Sequence, residues 1–209
     1  MIVYSKERVT CLLEDHTRKS SSFVMMICVL LIMLIIVPLG LPADRTLAAV
    51  TVHPLATKAA EKAFKEGGNA VDAAVASALT LGVVDGFNSG IGGGCFMLLR
   101  KSDGEFIAID GRETAPSKAS RDMYLRDGIA KSELSQTGAL AIGIPGALAA
   151  YNLAIYKYGN LDFAKLLRQA AIIADEGFLL DDSYLVRLKK VVNKLRLFPA
   201  SSRIFLDSN

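Results

Sequence analysis

The run of apolar and polar positions divides this chain into one uninterrupted apolar segment and a longer region of punctuated elements. Residues 20–43 carry no charge, and "FVMMICVLLIMLIIV" (residues 23–37) is apolar throughout. A stretch of about 20 apolar residues is what a helix needs to cross a bilayer. Arg18 and Lys19 precede it, so the positive-inside rule leaves residues 1–22 in the cytoplasm and exports the region C-terminal to the apolar run. Two readings of residues 23–43 stay open. A cleaved signal peptide would find small-residue sites at "LPA" or "TLA", whereas a retained signal-anchor fits a long leading segment that contains Glu7, Glu14 and Asp15. The domain beyond is expected to be membrane-anchored and extracytoplasmic, or secreted or periplasmic after cleavage.

Beyond the apolar run the period changes. "HPLATKAAEKAFKEGG" predicts a helix with Pro54 in its first turn, a stripe of Leu55, Ala59, Ala63 and Phe64, and a stop at Gly67-Gly68. Asn69 then caps an alanine-rich second helix, "AVDAAVASALTLGVV", whose small side chains permit close packing. "CFMLLR" and "EFIAID" predict two strands around "KSDG", where Asp103-Gly104 favours a tight turn. Three more helices are predicted, in "IPGALAAYNLAIYKYGN", "LDFAKLLRQAAIIADEG" and "SYLVRLKKVVNKLRLF". In the last, Leu185, Leu188, Val192 and Leu195 face a core or a partner. The expected class is α+β or layered α/β, helix-rich, with too few strands for the helices that should cover them.

Charge and cysteine usage narrow the chemistry. A formal net charge of +3 over 209 residues, without a basic run, argues against nucleic acid as a partner. Cys95 alone lies beyond the apolar run, since Cys11 and Cys28 precede or fall within it, so the exported part has no internal disulfide. No Cys/His spacing predicts a metal site, and no cofactor is expected. His16 and His53 flank the apolar run from opposite sides and cannot share a site.

The stretch "SGIGGGCFMLLRKSDGEFIAIDGRETAP" concentrates the chemistry that remains. Gly90, Gly92, Gly93 and Gly94 resemble a phosphate nest in composition. A P-loop, however, needs Lys-Ser/Thr and a helix after the turn, and here Cys95 and a strand come next. The glycines therefore read as a place of close backbone approach. Arg112 stands at the end of the second strand, where its planar fork can grip a carboxylate through two parallel hydrogen bonds. From spacing alone, pairing with its neighbours Asp110 or Glu113 is the commoner outcome for such an arginine. No GxSxG elbow occurs, and Asp72, Asp85, Asp175 and Glu176 are scattered without forming an acid/base pair. No catalytic residue is assigned in this chain.

Taken in order, "HPLATKAAEKAFKEGGNAVDAAVASALTLGVV", "SGIGGG", "DGRETAP", "GIPGALAA" and "YGNLDFAKLLRQAAIIADEGF" resemble the gamma-glutamyltranspeptidase (glutathione hydrolase) family, from residue 52 to about residue 207. The resemblance implies an N-terminal nucleophile hydrolase fold, an αββα sandwich of which residues 50–209 would be the N-terminal part of the large subunit. It implies a self-cleaving precursor whose small subunit begins with a catalytic threonine. It also implies glutathione and other gamma-glutamyl compounds as substrates, with water or amino acid and peptide acceptors. Arg112 matches the arginine that binds the glutamyl α-carboxylate, and Glu113 is its accompanying orienter. The nucleophile belongs to a Thr-Thr-His type segment, and this chain has no Thr-Thr pair, so it is expected to be inactive by itself and to need its missing partner segments. "VVDGFNSG" stands where "VVEP" is more usual, and Cys95 occupies a position commonly glycine. Two alternatives remain: a related beta-lactam (glutaryl) acylase, and a truncated, inactive, membrane-anchored remnant.

Overall fold

Helix α1 (Pro54–Lys65) starts where His53, in extended conformation, turns its ring back so that Nδ1 accepts the Leu55 N–H at 3.2 Å. This histidine therefore serves as an N-cap. Helix α2 (Ala70–Val84) starts on a capping box: the Asn69 side chain accepts from Val71 and Asp72, and the Asp72 carboxylate accepts the Asn69 N–H at 2.7 Å. The computed structural model describes residues 47–206. The apolar segment 23–43, with the leading residues 1–22, lies outside the described residues. Among the described residues no helix is long and apolar enough to cross a membrane.

After α2 the chain runs through the glycine turn into β1 (Cys95–Arg100), which pairs antiparallel with β2 (Phe106–Gly111), Cys95 opposite Gly111 and Arg100 opposite Phe106. A long excursion comes next, with a second small hairpin of β3 (Leu125–Arg126) and β4 (Ile129–Ala130) that the hydrophobic pattern did not predict. Its turn uses Asp127 and Gly128, both at positive φ, as a two-residue hairpin loop requires. Then come α3 (Ala147–Tyr158), α4 (Phe163–Glu176), α5 (Asp182–Arg196) and the short α6 (Pro199–Phe205). The class is thus α+β, with two two-stranded sheets among the described residues.

The core is built largely of alanine. Ala56, Ala59, Ala60 and Ala63 of α1 face Ala73, Val75, Ala76 and Leu79 of α2. Ala147, Ala150, Ala154 and Ile155 bring α3 onto α2 and onto Ile109 of β2, while Leu166 and Ala170 seat α4 on α2. Small side chains let the helix axes approach closely. One buried carboxylate joins the layers: besides capping α2, Asp72 accepts the backbone N–H groups of Asn160 and Leu161, at 3.0–3.1 Å, just before α4. The Asn69 amide donates in return to the Tyr158 carbonyl at 2.6 Å. A fully buried charge with so many donors fixes the α2, α3 and α4 ends to one another.

The outer face of the first hairpin is apolar and uncovered. Cys95, Met97, Leu99, Ile107 and Ile109 turn inward, whereas Phe96, Leu98 and Phe106 are 69%, 72% and 64% exposed on the outer face of the hairpin. Helix α5, expected to place Leu185 and its neighbours against a core or partner, has no buried residue. Its contact with the rest runs through Tyr184, edge-on to Phe87 at 5.5 Å, and through Arg187 over the same ring at 5.9 Å.

Candidate functional site

Three segments distant in sequence converge at the end of β2. The glycine turn is held to the start of α3 because the Gly93 carbonyl accepts the N–H groups of Gly146 and Ala147 at 3.2 and 3.1 Å. Residues 112–114 are held to "GIPG" by a pair of backbone hydrogen bonds between Thr114 and Ile144, at 3.1 and 2.8 Å. Three positions in this corner tolerate no side chain: Gly94, Gly111 and Gly146, where a Cβ on Gly146 would run into the Gly111 carbonyl oxygen. A Cβ on Gly94 would lie 2.7 Å from the Gly111 carbonyl oxygen, and one on Gly111 would lie 2.5 Å from the Ala150 Cβ. The glycines thus allow close approach of backbones, as their context in the sequence implies.

Arg112 leaves this corner exposed to solvent. Its two neighbouring acids are engaged elsewhere. The Asp110 carboxylate accepts the backbone N–H of Arg112 at 2.9 Å, which fixes the main chain. The Glu113 carboxylate lies across the glycine turn, with its oxygens 3.1 and 2.8 Å from where Cβ atoms of Gly93 and Gly94 would stand. Among the described residues the ion pairs involve Lys101, Arg121 and Lys165, and none involves Arg112.

The corner separates two hollows. One, of about 450 Å³, is lined by Arg112 together with Met123, Tyr124, Leu140 and Ile142 of the long excursion. The other, of about 630 Å³, is lined by the glycine turn, Cys95 and Tyr151. Glu113 lines both. Arg112 and the glycines, neighbours along the sequence, therefore face different spaces, and the acid between them is the shared wall.

The second hollow is chemically quiet. Burial pushes the Cys95 thiol up, the Tyr151 hydroxyl partly offsets this, and the Glu113 charge raises it further. A thiol so held is a poor nucleophile. Burial, with Cys95 beside it, pushes the Tyr151 hydroxyl up to about 12. A third hollow at the start of α5 is lined by charges of both signs, among them Asp85, Asp181, Arg187 and Lys190. Among the described residues no cluster of His, Cys, Asp and Glu is arranged to hold a metal ion.

Tyr124, Leu140 and Tyr151 were not singled out by sequence reasoning. Tyr151 carries a helical-spacing signal, lying on the same face of α3 as Ala147, Ala154 and Ile155. Tyr124 and Leu140 sit in a segment without periodicity, and their approach depends on the tertiary closure at Thr114 and Ile144.

The Gamma-glutamyltranspeptidase family profile matches residues 56–209. The chain belongs to that family. It is 44% identical over 140 residues to the glutathione hydrolase proenzyme of Escherichia coli, covering 66% of this chain and 24% of that protein. It is 41% identical over 137 residues to an acylase proenzyme, ACY 1, of a Pseudomonas strain, covering 62% and 25%. The crystal structure of Helicobacter pylori gamma-glutamyltranspeptidase superposes with a TM-score of 0.74 at 35% identity, over 77% of this chain and 46% of that one. The chain thus spans about a quarter of the length of the curated relatives it matches.

Proposed function

We propose that this chain is the N-terminal portion of the large subunit of an enzyme that cleaves the gamma-glutamyl amide of glutathione and passes the glutamyl group to water or to an amino acid or peptide. The observation that carries the proposal is the guanidinium of Arg112, exposed in a hollow and left without an acidic partner by the two carboxylates beside it. A fork of N–H donors in that position suits the α-carboxylate of a glutamyl group, through two parallel charge-assisted hydrogen bonds. Glu113 would accompany it from the shared wall of the two hollows as the orienter of the guanidinium. The nucleophile would be the N-terminal threonine of a small subunit, made by self-cleavage of the precursor. Its hydroxyl would attack the amide carbonyl while its own amine takes the proton. The apolar outer face of the β1–β2 hairpin supports the αββα reading, because a second sheet stacked there would cover Phe96, Leu98 and Phe106. Residues 23–43 would tether or export the domain, with residues 1–22 left in the cytoplasm.

The likeness to the Pseudomonas acylase favours a second reading. A glutaryl group presents its terminal carboxylate at the same distance from the scissile carbonyl as a gamma-glutamyl group does, so the Arg112 clamp alone does not separate the two. The test is a pair of donors offered to the full-length protein, a gamma-glutamyl anilide and a glutaryl amide. The proposal predicts preference for the first. Preference for the second would replace it with the acylase.

A further inference from the structure

The segment between the paired Thr114 and Ile144 leaves the fold and returns to the same point, pinched at its neck by two backbone hydrogen bonds. It contains two strands of two residues and two single 3-10 turns, Ser132–Ser135 and Ala139–Ala141. Excursions of this length with so little regular structure are commonly functional in compact domains. A side-chain bond ties its two limbs together: the Tyr124 hydroxyl donates to the Leu140 carbonyl at 3.1 Å. This holds Leu140 and Ile142 on one limb, and Met123 and Tyr124 on the other, around the hollow that Arg112 lines. Leu140 and Ile142 are 38% and 62% exposed there, apolar surface turned to solvent beside Arg112.

We propose that residues 115–143 form the specificity wall for the methylene spacer of the acyl donor, and that Tyr124 is the positioning residue of that wall. This rests on the gamma-glutamyl reading of the same hollow. A donor whose carboxylate is held at Arg112 must lay the carbons next to that carboxylate against the hollow's apolar lining. The carboxylate is fixed at one end and the scissile carbonyl must meet the nucleophile at the other. The wall then measures how many methylenes lie between. One methylene in an apolar pocket changes discrimination by roughly 10-fold or more.

The test uses the full-length protein and three anilides: beta-aspartyl, gamma-glutamyl and delta-aminoadipyl, which differ by one methylene each. Leu140→Ala and Ile142→Ala should each reduce the kcat/KM preference for the gamma-glutamyl donor over its neighbours by roughly 10-fold. The volume-conserving Leu140→Met should restore it. Tyr124→Phe should raise the gamma-glutamyl KM more than it lowers kcat. An unchanged preference in both alanine variants would overturn the wall while leaving the function intact, as would an equal loss on all three donors. If the unaltered protein cleaves no gamma-glutamyl donor, the function fails and the wall with it.

Discussion

The helical core and the corner at the end of β2 are built on opposite terms. Around Asp72 every group is answered: the carboxylate accepts from Asn69, Asn160 and Leu161, and the helices that meet there touch through alanines. Around Arg112 the backbone is equally well fixed, by the Asp110 carboxylate and the Thr114–Ile144 pair, yet the guanidinium is left open. The hairpin behind it shows the same division, with Met97 and Ile109 packed inward and Leu98 exposed outward. A region that satisfies itself serves stability. One that is rigid in its main chain but unsatisfied in its side chains is prepared for something else to complete it.

Breaking the satisfied side should have the largest effect. Asp72→Ala would leave several backbone N–H groups buried without an acceptor, and should cost about 3–4 kcal/mol of stability in chemical denaturation. Asp72→Asn, which keeps an acceptor but loses the charge, should cost less. Equal, small losses for both would show that the buried carboxylate is not the group that joins α2, α3 and α4.

A pH experiment sharpens the same boundary. The Tyr151 hydroxyl, pushed up to about 12 mainly by burial, keeps its proton in the folded state above the pH at which an unfolded tyrosine, near 10, has lost it. The unfolded state then binds fewer protons, so the contribution is complete below about pH 10 and is lost as pH rises towards 12. Tyr151→Phe should flatten the alkaline part of the stability curve. A tyrosinate absorbance titration with no late-ionising tyrosine would contradict this.

The smallest effect on stability belongs to the open side. Leu98→Thr on the outer hairpin face should change the stability of this chain by no more than about 0.5 kcal/mol while reducing its self-association in sedimentation. A large loss of stability would mean that the outer face is already covered.

Much of this division was legible in the sequence. The boundaries of α2 came from Asn69 and the glycines before it, and the first hairpin from Asp103-Gly104 between two apolar runs, with β2 shifted by one residue to Phe106–Gly111. Asp72 was read only as one of several scattered acids; its capping role lies three residues after Asn69, and its second role depends on a loop almost ninety positions away and has no local signature. The same holds for the site. Arg112 stood out as an arginine at a strand end, but its role as a carboxylate clamp came only from the family resemblance. That its neighbouring acids would turn away, and that Leu140 would come back across the hollow, depends on the Thr114–Ile144 closure, which no periodicity encodes. Helix α5 was predicted from its stripe, of which Leu188, Val192 and Leu195 are half-buried and Leu185 is exposed.

The central claim is that the Arg112 guanidinium holds the glutamyl carboxylate, and steady-state kinetics of Arg112→Lys in the full-length protein test it most directly. Lysine keeps the charge but loses the two-pronged geometry, so KM for a gamma-glutamyl anilide should rise by the equivalent of about 1.5–3 kcal/mol, roughly 10- to 150-fold. A KM equal to that of the unaltered protein would contradict it.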